Sequence, residues 1–209
     1  MEKTLARIGY AMIKNSTPEG VEYNAPIYLE STKAGGREIS SEPQGSLQEV
    51  DADGMIVMSH DVNGGYTHNL TLLDILDSVD KDWLNKRILE DGSIVEVADG
   101  KVAPRFALIV AKETLNDDKL YNIDIYFNTT ASRYTKNAKS NKPGEEIDFE
   151  FPQYSLTSRP LEVSKIVHQK LKSDTLPATI EVPSLPDDSS DSSTDNSSAS
   201  TDNSGSDGE

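Results

Sequence analysis

The 209-residue chain reads as a mainly β, antiparallel protein with one flanking α-helix and one long hairpin loop, and three observations carry that reading. Turn-forming runs recur along it, at Asp53-Gly54, Asn63-Gly64-Gly65, Asp91-Gly92 and Asp99-Gly100; such sequences reverse a chain between strands because Gly accepts positive φ. Between them lie segments of period-two alternation, the clearest being LYNIDIYF at Leu120–Phe127 and IDFEF at Ile147–Phe151. One stretch, beginning at Tyr66, changes from a period of two to a helical one.

In chain order, residues 5–13 (LARIGYAMI) and 21–30 (VEYNAPIYLE) are expected strands, separated by a turn over Asn15–Gly20 in which Pro18 and Gly20 break any continuous element. Gly35-Gly36 opens another extended region. In QEVDAD, Val50 and Ala52 face one way and Glu49, Asp51 and Asp53 the other. Turns at Asp53-Gly54 and Asn63-Gly64-Gly65 then make residues 46–73 a three-strand meander. In its last strand Tyr66, His68, Leu70 and Leu72 share a face, and beyond it Leu72, Leu76, Val79 and Trp83 fall four, three and four apart, one stripe of a helix lying on its own sheet. Leu76, Val79 and Trp83, the chain's one tryptophan, are the predicted packing anchor. Thr71 with Asp74, or Ser78 with Asp80, would cap the helix start.

After the helix, Asp91-Gly92 and Asp99-Gly100 bracket a short strand, Ser93–Val97. Arg105–Lys112 (RFALIVAK) is nearly continuously apolar and is expected in a central position. Asn116–Asp118 turns it into the strand where Tyr121, Ile123, Ile125 and Phe127 share one face and Asn122, Asp124 and Tyr126 the other. Ile147, Phe149 and Phe151 repeat the pattern against Asp148 and Glu150, as in a sheet with one wet face. Between these two strands lies Thr129–Gly144 (TTASRYTKNAKSNKPG), which carries Arg133, Lys136, Lys139 and Lys142 and no acid. Its sixteen residues are too many for a tight hairpin, and it reads as a functional arm. Leu161–Asp174 fits a helical face through Val163, Ile166, Val167 and Leu171, and fits an extended arm equally well.

The net charge is −16. The last 23 residues, from Asp187, hold seven carboxylates, no Lys or Arg, and Ala199 as their one apolar side chain, so nothing in them offsets the entropy of ordering the chain. Removing those seven charges leaves −9 on residues 1–186, so the folding part is itself acidic. That balance argues against gripping nucleic acid through phosphates, which takes clustered Lys and Arg. The chain has no cysteine, which excludes disulfides and thiolate metal sites. No run approaches a signal h-region or a membrane span, and a soluble protein made in the cytoplasm is expected.

Catalytic and metal-binding patterns are missing. His60, His68 and His168 are far apart and form no HExxH-type pattern, so they read as surface or sheet-face histidines. Asp51-Ala52-Asp53-Gly54 resembles the start of a calcium loop, but Met55 stands at the fifth position and the bidentate glutamate is missing. There is no GxSxG, phosphate-cradling loop or dinucleotide fingerprint. No enzyme activity, cofactor or metal is expected.

The succession EVDADGMIVMSHDVNGGYTHNLTLLDIL, VAPRFALIVAKET, KLYNIDIYFN and IDFEFPQYSLTSRPLE resembles the major tail tube protein of long-tailed, siphovirus-type bacteriophages of Gram-positive bacteria, over most of residues 1–160. The resemblance implies an antiparallel β-sandwich or barrel-like domain over 1–160, with a C-terminal arm at 161–186 and a Ser/Asp-rich acidic tail at 187–209 outside the match. It implies hexameric rings stacked into a tube that conducts DNA into the host, in a virion assembled in the host cytoplasm. The implied partners are further copies of the chain, the tape measure protein, the tail terminator, the distal tail protein and double-stranded DNA in passage, with no membrane. Within that reading Glu49, Asp51, Asp53, Asp124, Asp148 and Glu150 are candidate lumen-lining acids, since like charge within a Debye length of about 8 Å keeps DNA from sticking. Arg133, Lys136, Lys139 and Lys142 are the candidate inter-ring or inter-subunit arm. The competing readings are a non-viral β-sandwich binding or adhesion module, which the missing signal peptide disfavours, and, weakest of the three, an acid-dependent hydrolase.

Overall fold

The structure, a computed structural model, describes residues 2–52, 55–98, 100–114, 120–134 and 150–185. Strands dominate: β1 (Glu2–Thr17), β2 (Gly20–Tyr23), β3 (Ile27–Tyr28), β4 (Gly36–Ala52) and β5 (Met55–Leu72) precede one helix, α1 (Asp77–Leu84). A two-stranded hairpin of β6 (Arg87–Ile88) and β7 (Ile94–Val95) follows, and then β8 (Phe106–Thr114), β9 (Tyr121–Ala131), β10 (Gln153–Ser158) and β11 (His168–Ser173). The main sheet is antiparallel in every pairing and runs β2-β1-β8-β9-β10-β5-β4, with β3 on β1 and β11 on β9.

The sheet curls around an inner core, and its two ends meet. Ile8 and Tyr10 of β1, Leu108 and Val110 of β8, Leu70 and Leu72 of β5 and Tyr154 and Leu156 of β10 alternate inward onto one cluster. Gly36 at the start of β4 lies against Ile8 and Leu5 of β1 so closely that a Cβ there would overlap Ile8. Helix α1 completes that core. Val79 and Trp83 are fully buried, and the Trp83 indole stacks on Phe106 at 4.8 Å with its edges toward Tyr10 and Tyr154. Leu76, Val79 and Trp83 therefore anchor the helix as the spacing predicts, with Leu76 half-buried at its N-cap. Neither expected cap forms: Leu76 makes no side-chain cap hydrogen bond, and Asp74 accepts from the Ile75 amide instead.

A second core covers the other face of the same strands. Ala107, Ile109, Ala111, Ile123, Ile125 and Phe127 pack beneath Leu161, Ile166, Ile180 and Val182, a C-terminal strap that crosses the outside of the sheet. The strap is extended with a turn, which settles the ambiguity at 161–174 against a helix, and its β11 pairs with β9 from His168↔Tyr126 to Ser173↔Tyr121. With inner core on one side and strap on the other, β8 and β9 have no wet face. The expectation that Asn122, Asp124 and Tyr126 face solvent fails for that reason, because all three are buried.

Two further expectations are corrected. Residues 46–73 make no third strand; β5 runs unbroken through Asn63-Gly64-Gly65, where the ladder with β4 shifts register instead of turning. Strand structure around IDFEF begins only at Gln153, with Glu150 and Phe151 outside it. The expected turns at Asp53-Gly54 and Asn116–Asp118, and residues Ile147, Asp148 and Phe149, lie outside the described residues.

Candidate assembly surface

The β4–β5 hairpin is far longer than the body it belongs to. β10 pairs with β5 only from Tyr66 to Thr71, whereas β4 and β5 go on pairing with each other from Gly45↔Asn63 to Ala52↔Met55. At about 3.4 Å per residue the distal ribbon extends some 25 Å past the last body strand. Gly65 marks the departure point: its φ is +107°, and a Cβ there would collide with the Ser158 carbonyl of β10. A cavity of about 390 Å³ opens at this root, between Pro43–Leu47 and Val62, Asn63 and Tyr66.

Nothing among the described residues packs on the ribbon. Leu47 is 61 %, Met55 72 % and Val62 41 % exposed, and the outer edges of both strands have no pairing strand along it among the described residues. Glu49 and Asp51 lie on the same ribbon and are exposed, while Asp53 falls outside the described residues. A two-stranded ribbon with solvated faces is marginal in water. Covering each large apolar side chain on a neighbour would contribute about 1.5–3 kcal/mol.

Beneath the ribbon root lies a buried polar network that reading the histidines one by one does not reveal. His68 is fully buried, with Nδ1 2.8 Å from Ser41 Oγ and Nε2 2.8 Å from Ser158 Oγ, and Ser158 in turn contacts Thr129 Oγ1 at 2.7 Å. Its ring stacks on Tyr66 and meets the edge of Tyr126. Burial, with a smaller contribution from nearby His168, pulls the His68 pKa down to about 4, so the ring is neutral at pH 7. One strand away Asp124 accepts from His168 Nε2 at 3.0 Å and pairs with Lys112 Nζ at 3.2 Å. Burial alone would raise its pKa, but the His168 hydrogen bond and the Lys112 charge outweigh it and hold the carboxyl below its ordinary value. Asp124 is thus an internal ion-pair partner and not a lumen acid. Asp148 lies outside the described residues, and Glu150 is exposed ahead of β10.

The basic arm begins later than its composition suggests. Thr129–Ala131 belong to β9, with Thr129 buried, and Arg133 already pairs with Glu96 at 2.7 Å. Tyr134 is fastened to the helix: its hydroxyl donates to Asp80 Oδ2 at 2.9 Å, where Lys86 Nζ also donates at 2.5 Å, and the Tyr154 hydroxyl donates to Oδ1 at 3.0 Å. Burial lowers the Lys86 pKa and the bonds to Asp80 and Tyr134 raise it by more, so the net shift is upward. Lys136, Lys139 and Lys142 lie outside the described residues. The signal for Asp80 was present in the sequence, since it is an acid inside the buried stripe between Val79 and Trp83.

Among the described residues no group of three or more His, Asp or Glu side chains could hold a metal ion, and no helix is long and apolar enough to cross a membrane. A scan against protein-family models and a search of curated proteins each gave no match.

Proposed function

We propose that the chain is a structural subunit that polymerises into a tube, of the kind its sequence resembles: hexameric rings stacked to form the tail tube of a long-tailed bacteriophage, through which DNA leaves the virion. The observation that carries this reading is the projecting β4–β5 ribbon, with both outer edges unpaired among the described residues and Leu47, Met55 and Val62 exposed. Ribbons of six copies laid side by side would satisfy one another's edges and close a barrel, which removes the edges altogether. In that arrangement Glu49 and Asp51 are the acids placed to line the lumen. Tape measure, terminator and distal tail proteins would meet the two ends of such a tube.

Electron microscopy of the purified full chain tests the proposal, with a variant in which residues 46–62 are replaced by Asn-Gly so that Gly45 and Asn63, already opposite, are joined by a tight turn. Wild type should form rings or tubes, and the shortened variant should remain a folded monomer. A wild type that stays monomeric at high concentration, or a shortened variant that still polymerises, would overturn the reading.

A further inference from the structure

The sheet's other terminus, β2, carries a second unfinished edge. β2 ends the sheet path, and its outer edge has no backbone partner among the described residues. Opposite it runs the strap segment Thr179–Ser184, held in place by the Tyr28 hydroxyl on the Pro177 carbonyl at 2.6 Å and by buried Ile180, and likewise without backbone partners among the described residues. The slot between them is a groove of about 610 Å³. It continues, through the shared walls Val21, Leu161 and Val163, into a second cavity of about 360 Å³.

The chemistry of this groove selects a cation-bearing strand. Asn128, 8 % exposed, forms part of the second cavity's wall; its Nδ2 donates to the Pro160 carbonyl at 3.3 Å, and its Oδ1 accepts from nothing among the described residues. A buried acceptor without a donor is unfavourable, and an N–H brought in by a ligand would satisfy it. The rim carries Glu19, Glu22, Glu162 and Glu181 against Lys14 and Arg105. The two cations are already engaged, Lys14 with Glu22 at 3.6 Å and Arg105 with Glu162 at 3.4 Å, while Glu19 and Glu181 have no cation among the described residues.

We propose that this groove receives the lysine-bearing segment Thr135–Pro143 of a second copy of the chain, added as a strand along β2 with its lysines on the rim glutamates. Lys136, Lys139 and Lys142 make it an acid-free basic stretch, whereas the tail from Asp187 would be repelled by the same rim. A copy's own segment is badly placed to enter. Its near end is tied through Tyr134 to Asp80 beside α1 on the inner-core side, and its far end leads to Phe151 under the Arg37 guanidinium of β4, whereas the groove opens beside the outer core. The contact joins two different surfaces of identical molecules, so it closes into a ring where the rotation between copies allows and otherwise repeats along a filament. It deepens the tube reading by naming where the arm lands, and it rests on that reading only for its place between subunits.

The test is a labelled Thr135–Pro143 peptide titrated by fluorescence anisotropy into the full chain carrying Lys136→Ser, Lys139→Ser and Lys142→Ser, whose own segment no longer competes. Saturable binding is expected, weakened at least about tenfold by Glu19→Lys, Glu22→Lys and Glu181→Lys together, the combined effect of several exposed pairs. Asn128→Leu, which keeps the volume and removes the acceptor, should weaken it independently, with melting curves confirming that each variant is folded. No binding, equal binding to the charge-reversed groove, or preferential binding of a peptide spanning residues 187–209 would overturn the inference. Peptide binding without rings or tubes from wild type would uphold the groove and sink the tube reading alone.

Discussion

Asp80 is a carboxylate 3 % exposed at the base of the helix, and it survives there because three donors reach it from Lys86, Tyr134 and Tyr154. Removing one partner from a buried charged pair leaves the other uncompensated, at about 3–5 kcal/mol. Asp80→Ala should therefore lower the unfolding free energy by roughly that amount in urea denaturation; a loss below about 1 kcal/mol would mean the cluster is solvated. His68 makes a separable pH prediction. Its folded pKa of about 4 lies below the ordinary 6.5, so the unfolded chain takes up the proton first and stability falls as pH drops between those values, by up to about 3 kcal/mol. The lowered Asp124 pKa acts in the other window: its stabilisation is intact above the ordinary 3.8 and is lost only as pH falls further. Thermal melts from pH 7 to pH 4 should show the first loss in wild type and not in His68→Gln; parallel curves would remove His68 as the cause. Trp83 was legible in advance because its spacing from Val79 is local, whereas Asp124 was misread because its partners Lys112 and His168 come from strands elsewhere in the chain.

At the scale of elements, alternation located β8 and β9 well, since a period of two is written into the strand itself. Whether a face is wet is not, because the Asn122–Asp124–Tyr126 face is closed by Tyr66 and His68 of β5 and by His168 of β11, which come from elsewhere in the chain. The same limit explains Asn63-Gly64-Gly65. Glycines there meet two needs with one composition, a turn or a strand that must pass close to another backbone, and the second is what occurs at Ser158. Gly65→Ala should consequently cost at least about 1–3 kcal/mol, from both the positive φ and the collision, with the loss read in urea unfolding. An unchanged midpoint would show that β10 yields at that point.

For the whole molecule, the acidic composition does not reveal the separation of surfaces, an apolar and acidic ribbon on the last strands of the sheet path and an acidic groove beside its first. Deleting residues 187–209 removes seven negative charges and no apolar anchor except Ala199. If the chain polymerises as proposed, tubes of unchanged ring spacing are the expected outcome by microscopy, and failure of the truncated chain alone to polymerise would give the tail a structural role.

The pairing of β1 with β8 bears on how the chain is made. Ile8 meets Val110, so β1 leaves the ribosome about 5–20 s before its partner at ordinary elongation rates of about 5–20 residues per second. During that interval β1 has only the short β2 and β3 as pairing strands, and the ribbon exists before β10, which roots it, has been synthesised. The outer core waits longer still, for Ile180. Such a topology folds late and slowly, since most of its closing contacts span long stretches of chain. Nascent chains on one messenger would therefore display sticky ribbons beside one another before any has a body. A cell in which translation is slowed should accumulate aggregates of this protein from incomplete chains, while chains already released remain folded.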